Sequence, residues 1–181
     1  MARKVGKLVA AVGCSGGELA RRKVPREALT GDCRQALADY PGGMLECRWG
    51  CLGLGSCAAA CKLGAIKVGA KGVAEVDREK CIGCGLCVKA CPQTIIRLVP
   101  REQNIVVACS SQDPGPATRK VCDAGCIACG ICEKNCPMGA IKVVDNHPVI
   151  DESLCVSCGM CASKCPRGVI KDVYGILGPQ V

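Results

Sequence analysis

The sequence predicts a small, loop-rich α+β fold built as a tandem of two similar cysteine-rich modules. The chain of 181 residues contains 20 cysteines, a content typical of a scaffold held together through its cysteines. It has one Trp, two Tyr and no Phe, so the large side chains that usually fill a core of this size are missing. The cysteines also recur in four runs of similar spacing, which indicates an internal repeat.

Three of the runs share the spacing C-x2-C-x2-C-x3-C-P and begin at Cys81, Cys126 and Cys155. Closely spaced thiolates separated by glycines form a tight loop that can cup one [4Fe-4S] cube and offer backbone N–H groups to it. The fourth cysteine of such a run reaches the other cube of a two-cluster unit. The spacing therefore predicts two bacterial 2[4Fe-4S] ferredoxin-like modules, with short hairpins and helices around the clusters.

The first run departs from this spacing. Residues 50–57 align without a gap on residues 125–132, which puts Leu54 in the place of the middle cysteine. Cys61 matches Cys136 as the fourth cysteine. This run alone supplies too few thiolates, so we expect its cluster to take a ligand from elsewhere in the chain.

Apolar residues after each run predict short strands and a division of the chain. Strands are expected to start at Ile66, Ile96, Ile141 and Ile170, with hairpins over 66–76 and 141–150. The apolar segment that ends in Cys14-Ser15 recurs before Cys109-Ser110, so each repeat begins with a strand. The predicted segments are an N-terminal strand and insertion over 1–43, a first module over 44–103, a strand and connector over 104–121, a second module over 122–175 and a tail over 176–181.

Counting thiolates predicts five [4Fe-4S] clusters, and at least four. The sets of four ligands expected from the intact runs are Cys81, Cys84, Cys87 and Cys61 for cluster 2, Cys126, Cys129, Cys132 and Cys165 for cluster 3, and Cys155, Cys158, Cys161 and Cys136 for cluster 4. Cluster 1 has Cys51, Cys57 and Cys91, and the preferred fourth ligand is Cys47, which leaves Cys14, Cys33, Cys109 and Cys122 for cluster 5. The alternative follows the repeat symmetry and exchanges Cys33 with Cys47.

Other uses of the cysteines fit the sequence less well. The apolar run Leu8–Val12 is too short for a secretory signal, and no apolar stretch approaches the length of a membrane span. A reducing cytoplasm is therefore expected, which disfavours a disulfide framework. Structural zinc takes four ligands from two pairs, which does not suit a run of three cysteines and a distant fourth. His147 is expected to be a solvated residue of a hairpin turn, and Trp49 to pack over a cluster.

Charge and motif content exclude several classes of function. The formal net charge is +8, but five oxidised clusters would contribute about −10, because each cube with four thiolates carries about −2. With so few aromatic side chains, a nucleic-acid-binding surface is not expected. The sequence shows no general base, nucleophile or nucleotide-binding fingerprint, so no catalytic residue is predicted.

Several stretches resemble one family in particular. They are residues 32–34, Cys47 with residues 50–57, residues 98–100, residues 109–111 and residues 125–127. In these stretches and in the order of its motifs the chain is similar to the ferredoxin part of the B subunit of Rnf-type ferredoxin:NAD oxidoreductases. The membrane helix and further cluster-binding segment that open the family's B subunit are not among these 181 residues.

The resemblance implies a non-catalytic electron-transfer subunit that works at low potential. Its expected partners are ferredoxin and the other subunits of a redox complex, either flavin-, molybdenum- or tungsten-containing or membrane-bound and Rnf-like. We expect a cytoplasmic protein, held at the membrane, if at all, through partner subunits. The alternatives are a free polyferredoxin that shuttles electrons between enzymes and, as the weakest, a structural zinc protein.

Overall fold

The computed structural model describes residues 7–175 and shows two halves built to the same plan. The tail predicted over 176–181 lies outside the described residues. Within residues 7–175, no helix is long and apolar enough to cross a membrane.

The first half contains four short strands and three short helices. They are β1 (Leu8–Val12), α1 (Cys33–Asp39), α2 (Ser56–Ala59), β2 (Ile66–Val68), β3 (Ala74–Val76), α3 (Leu86–Ala90) and β4 (Ile96–Pro100). Both pairs of strands are antiparallel, with β1 against β4 and β2 against β3. The 3-10 turns Gly17–Leu19 and Arg26–Ala28 lie between β1 and α1.

The second half repeats the pattern with a shorter connector. Its elements are β5 (Ile105–Val107), α4 (Gly115–Val121), α5 (Ile131–Lys134), β6 (Ile141–Val144), β7 (His147–Ile150), α6 (Met160–Ser163) and β8 (Ile170–Asp172). Strand β5 pairs with β8, and β6 pairs with β7. The four predicted strand starts are confirmed, and so are both hairpins, which close at Ile66–Val76 and Ile141–Ile150.

The first strand of each half belongs to the module that follows it. Strand β1, which the sequence-based division set apart from residues 44–103, pairs over its whole length with the last strand of that module. Strand β5 does the same in the second half. Each half is therefore a unit of two strand pairs, the outer pair joining its beginning to its end.

Four of the helices begin in the same way, directly after a glycine. Gly55, Gly85, Gly130 and Gly159 precede α2, α3, α5 and α6 and have φ of 85°, 75°, 72° and 75°. A side chain disfavours this left-handed region, whereas glycine enters it at little cost. The turn reverses the chain between the second and third cysteine positions of each run, so the loop curls around a central space.

The outer strand pairs of the two halves pack against each other. Val106 of β5 is buried in a cluster with Val9 and Ala11 of β1 and Val99 of β4. Arg97 of β4 donates from Nη1 to the carbonyl oxygen of Val107 at 3.4 Å. The halves therefore share an interface next to the cysteine loops.

The insertion of the first half forms helix α1 and fixes its position. The side chain of Asp32 caps the helix, since its Oδ1 accepts hydrogen bonds from the N–H groups of Arg34 and Gln35 at 2.8 and 3.0 Å. Ala36 packs with Met44, Leu45 and Leu52 on the buried side. Cys33, the first residue of α1, is therefore held against the loop of the first run.

His147 differs from its predicted place. The turn of the second hairpin is formed by Asp145 and Asn146, which have positive φ, so His147 begins strand β7 opposite Val144. Its side chain is partly buried, and its Nδ1 has no hydrogen-bond partner. Burial, together with the nearby guanidinium of Arg97, lowers the pKa of His147. The prediction of a solvated turn residue was therefore wrong, because the two-residue turn closes one position earlier.

Candidate metal centres

The structure brings the 20 cysteines together around five cavities, with four cysteines at each. The cavities are site 1 (Cys33, Cys51, Cys57, Cys91), site 2 (Cys61, Cys81, Cys84, Cys87), site 3 (Cys126, Cys129, Cys132, Cys165), site 4 (Cys136, Cys155, Cys158, Cys161) and site 5 (Cys14, Cys47, Cys109, Cys122). Each cysteine belongs to one set. In both halves the fourth cysteine of one run lines the same cavity as the first and third cysteines of the other run.

Four of the cavities are similar in size, and all five share the same chemistry. The empty space at sites 1, 3, 4 and 5, including the part open to solvent, is about 370, 350, 340 and 330 Å³, and that at site 2 is about 730 Å³. Their described linings contain cysteine and no His, Asp or Glu. Within residues 7–175, no three such groups converge tightly enough to hold a single metal ion. Four thiols spread too widely for one ion suit a multinuclear cluster, because four Cys thiolates are the ligand set of a [4Fe-4S] cube.

Cys33 and Cys47 lie in the places of the alternative assignment. Cys33 faces the site 1 cavity, and its N–H donates to Ser56 Oγ at 2.9 Å, next to Cys57. Cys47 faces the site 5 cavity. The preferred assignment, with Cys47 in cluster 1, therefore differs from the structure. Helix α1 folds back over the first run, so Cys33 reaches the cavity whose loop has Leu54 in place of a cysteine.

Site 5 lies between the two halves and follows their repeat symmetry. Cys14 and Cys109 form an antiparallel bridge. Ser15 Oγ donates to the carbonyl oxygen of Ala108 at 3.1 Å, and Ser110 Oγ donates to that of Gly13 at 2.8 Å. The two serines thus exchange equivalent bonds across the interface. Each half supplies two of the four cysteines of the site.

Site 5 is connected directly to sites 1 and 3. The N–H of Cys51, in site 1, donates to Cys14 Sγ at 3.3 Å. The N–H of Cys126, in site 3, donates to Cys109 Sγ at 3.4 Å. These two contacts are equivalent in the repeat. Cysteines of sites 1 and 2 also pack in one buried cluster, and cysteines of sites 3 and 4 pack in another. These contacts link the sites in the order 2, 1, 5, 3, 4, with site 5 at the centre.

Further backbone N–H groups point at cysteine sulfurs. The fourth cysteines Cys61, Cys136 and Cys165 each accept a hydrogen bond at 3.3 Å from the residue four positions later. N–H donors that face sulfur stabilise a thiolate, and around a cluster they help to set its reduction potential. At Cys61, burial opposes the thiolate, but N–H groups of the following turn outweigh it, so the pKa of Cys61 is lowered.

Most other buried cysteines have the opposite shift. Burial raises the pKa of Cys47, Cys51 and Cys57 to about 11. It does the same for Cys126 and Cys161. Without a cation these thiols are protonated at neutral pH. Since a metal ligand must be a thiolate, loading of these sites releases protons.

The sites differ in their access to solvent. Cys84, Cys129 and Cys158, the middle cysteines of the intact runs, are exposed. Site 1 has Leu54 at the equivalent position of its loop, and its remaining cysteine, Cys33, is buried. Sites 2, 3 and 4 therefore each reach the surface through one cysteine, whereas the cysteines of sites 1 and 5 are buried or partly buried.

Trp49 lines the site 5 cavity, where a contact with a cluster was expected. Its Nε1 donates to Asp113 Oδ2 at 3.2 Å, and Arg48 Nη2 donates to Asp113 Oδ1 at 2.9 Å. The Arg48 guanidinium also stacks over the Trp49 ring, 4.8 Å from its centroid. Asp113 belongs to the connector of the second half, so this group links the two halves beside site 5. The sequence analysis did not identify Asp113 because nothing local marks it.

Comparison with known proteins points to the same class of site. Two family models, each described as a 4Fe-4S dicluster domain, match the chain, one over residues 48–98 and the other over residues 80–141 and 125–170.

Three curated relatives are B subunits of redox complexes. The B subunit of the Na(+)-translocating ferredoxin:NAD(+) oxidoreductase complex of Acetobacterium woodii is 46% identical over 91 residues, which are 50% of this chain and 27% of that protein. Its counterpart in the proton-translocating ferredoxin:NAD(+) oxidoreductase complex of Clostridium ljungdahlii is 40% identical over 138 residues, covering 68% of this chain and 49% of that protein. The B subunit of the ion-translocating oxidoreductase complex of Methanosarcina acetivorans is 41% identical over 79 residues, covering 44% and 30%. The chain thus matches half or less of the length of each relative.

Among solved structures, a chain of the formate dehydrogenase–heterodisulfide reductase–formylmethanofuran dehydrogenase complex of Methanospirillum hungatei matches 67% of this chain and 51% of that chain at 22% identity. Its TM-score of 0.27 is too low to support an argument about arrangement.

Proposed function

The chain belongs to the 4Fe-4S dicluster ferredoxin family, and from this premise we propose that it is a non-catalytic electron-transfer subunit with five [4Fe-4S] clusters. The observation that carries the proposal is the grouping of all 20 cysteines into five separate sets of four. When bound, the clusters supply reversible one-electron oxidation and reduction. The protein contributes thiolate ligands, N–H donors and the enclosure of each site.

We assign the ligands as the structure groups them. Cys33, Cys51, Cys57 and Cys91 hold the cluster of site 1, and Cys14, Cys47, Cys109 and Cys122 hold that of site 5. Sites 2, 3 and 4 take the sets that the sequence predicts. The support is the cavity linings, and for site 5 the matching bonds of Ser15 and Ser110.

Partners are expected to approach the open sites. Cys84 of site 2 and Cys158 of site 4 are exposed and stand at the two ends of the order of sites. Sites 1, 5 and 3 lie between them, and the cysteines of sites 1 and 5 are buried or partly buried. We propose that one end faces a ferredoxin-type donor or acceptor and the other a catalytic or flavin subunit of a larger oxidoreductase.

The relatives suggest which complex this is. Three of them are named as B subunits of ferredoxin:NAD(+) or ion-translocating oxidoreductase complexes. We propose that this chain serves an Rnf-like complex in the same role, on the cytoplasmic side, where other subunits of the complex would hold it at the membrane.

Anaerobic quantification of iron and acid-labile sulfide tests the cluster content. Five clusters give about 20 of each per chain, and four clusters give about 16. Little iron with stoichiometric zinc would overturn the proposal. The matched variant Cys122→Ala removes a ligand of site 5 alone, so its iron content should fall by about four ions while the electron paramagnetic resonance signals of the other sites persist.

Affinity purification from the native host tests the role as a subunit. Recovery of the chain with flavin-containing or membrane-bound subunits supports a place in a complex. Elution of the fully loaded chain alone, together with rapid reduction by ferredoxin and reoxidation by several enzymes, would instead identify a free carrier.

A further inference from the structure

The loop that joins the two halves places a buried glutamine against a cysteine of site 4. Gln103 is only 5% exposed. Its Nε2 donates to Cys155 Sγ at 3.4 Å and to the carbonyl oxygen of Ile105 at 2.8 Å. Among the hydrogen bonds to cysteine sulfur described within residues 7–175, this one comes from a side chain, whereas the others come from backbone N–H groups.

In the first half, the equivalent cysteine accepts its hydrogen bond from a backbone N–H group. Cys81, the first cysteine of the corresponding run, accepts a hydrogen bond at 3.4 Å from the N–H of Ala10 in β1. The strand registers place Ala10 and Ile105 at equivalent positions. In the second half the donor to sulfur is the Gln103 side chain, which also donates to the carbonyl oxygen of Ile105. This donor can therefore be removed without changing the backbone.

The position of Gln103 is fixed by contacts on both sides of the loop. The backbone carbonyl oxygen of Gln103 accepts from Arg78 Nη2 at 3.0 Å, and its backbone N–H donates to the carbonyl oxygen of Pro100 at 3.0 Å. The next residue, Asn104, donates its N–H to Ser157 Oγ in the site 4 loop at 3.3 Å. A buried amide anchored in this way keeps its N–H pointing at the sulfur.

We propose that Gln103 tunes site 4, making the cluster held there easier to reduce than it would be without this bond. The inference rests on the proposed function. Reduction adds negative charge that spreads onto the thiolate sulfurs, and a hydrogen bond to sulfur stabilises that charge. Because the amide is neutral, it does so without adding a charge of its own.

Potentiometric titration of the reconstituted holoprotein, followed by electron paramagnetic resonance, tests the proposal. In Gln103→Met the N–H donor is lost at nearly constant size, and one of the five midpoint potentials should become more negative. In Gln103→Glu the carboxylate adds charge beside the sulfur, so the same potential should shift further. The signal of site 4 is identified as the one that Cys158→Ala removes.

Gln93→Met is the matched control. Gln93 lines site 1, but its Nε2 donates to the carbonyl oxygens of Arg48 and Gly50 and not to sulfur. This variant should leave the site 4 potential unchanged. An equal shift of that potential in Gln93→Met and Gln103→Met would overturn the proposal.

A measurement on the wild-type chain keeps the test independent of variant folding. With glutamine labelled with ¹⁵N at the side-chain amide, pulsed resonance of the reduced protein should detect a ¹⁵N coupling at site 4. Absence of this coupling, or an unchanged potential in a fully loaded Gln103→Met, refutes the role of Gln103. A wild-type chain that contains no [4Fe-4S] clusters refutes the proposed function itself.

Discussion

Paired cysteine substitutions distinguish which cysteine completes site 1. If two cysteines bind the same cluster, removing the second causes no further loss of iron, because removing the first already abolishes the site. If they bind different clusters, the two losses of iron add. Cys33→Ala and Cys47→Ala alone should each lower the iron content from about 20 to about 16 ions per chain. Single variants therefore cannot separate the two assignments.

The combination with Cys51→Ala separates them. Cys33 and Cys51 line the same cavity, so Cys33→Ala/Cys51→Ala should retain about 16 iron ions. Cys47 lines site 5, so Cys47→Ala/Cys51→Ala should fall to about 12. The assay is iron and sulfide per chain after anaerobic reconstitution, with Cys14→Ala/Cys47→Ala as the pair expected to stay at about 16. If the values for the first two pairs are exchanged, the assignment drawn from the structure is refuted.

Three further predictions concern the scaffold around the sites. Gly83→Ala should lose the four iron ions of site 2, because Gly83 has φ of 69° and a Cβ there would clash with the carbonyl group of Leu8. Gly130→Ala, with φ of 72° and no atom within 4 Å of the new Cβ, should keep its iron, and equal losses in both variants would contradict this reasoning. Thr118→Val should lower the free energy of unfolding by about 1 to 2 kcal/mol in anaerobic urea titrations, because the buried Ser111 hydroxyl and the carbonyl oxygen of Asp113 each lose one hydrogen bond; Thr118→Ser should retain most of the stability. Asp113→Ala should speed the loss of site 5 iron to a chelator, since it frees Trp49, which lines the site, and unchanged release rates would argue against a protective role of this contact.

The local parts of the fold could be predicted from the sequence. The hairpins over 66–76 and 141–150 follow from apolar residues and turn residues that are close in the chain. The meeting of the first three cysteines of each intact run at one cavity follows from their spacing, because each loop is short enough to have few ways of closing. In both cases the interactions that decide the structure lie within about a dozen residues.

The place of Cys33 depends on contacts that spacing does not encode. Counting thiolates predicts that one further cysteine completes site 1, and Cys47 is nearer in sequence. The choice is made by α1, whose cap at Asp32 and contact with Leu52 turn the insertion back onto the first run. The repeat symmetry was the one signal that favoured this result. Gln103 and Asp113 were not identified at all, since each acts across the interface of the two halves.

The cavity of site 5 affects how the folding of the two repeats is coupled. In most tandem repeats stability is close to a sum of unit and neighbour contributions, so units can fold or fray one at a time. Here Cys14 and Cys47 face Cys109 and Cys122 across the boundary between the halves. A group bound there is held only when both halves are folded and docked, so its binding free energy becomes coupling free energy between them. The two modules should therefore fold and unfold as one cooperative unit, which the group bound at site 5 stabilises.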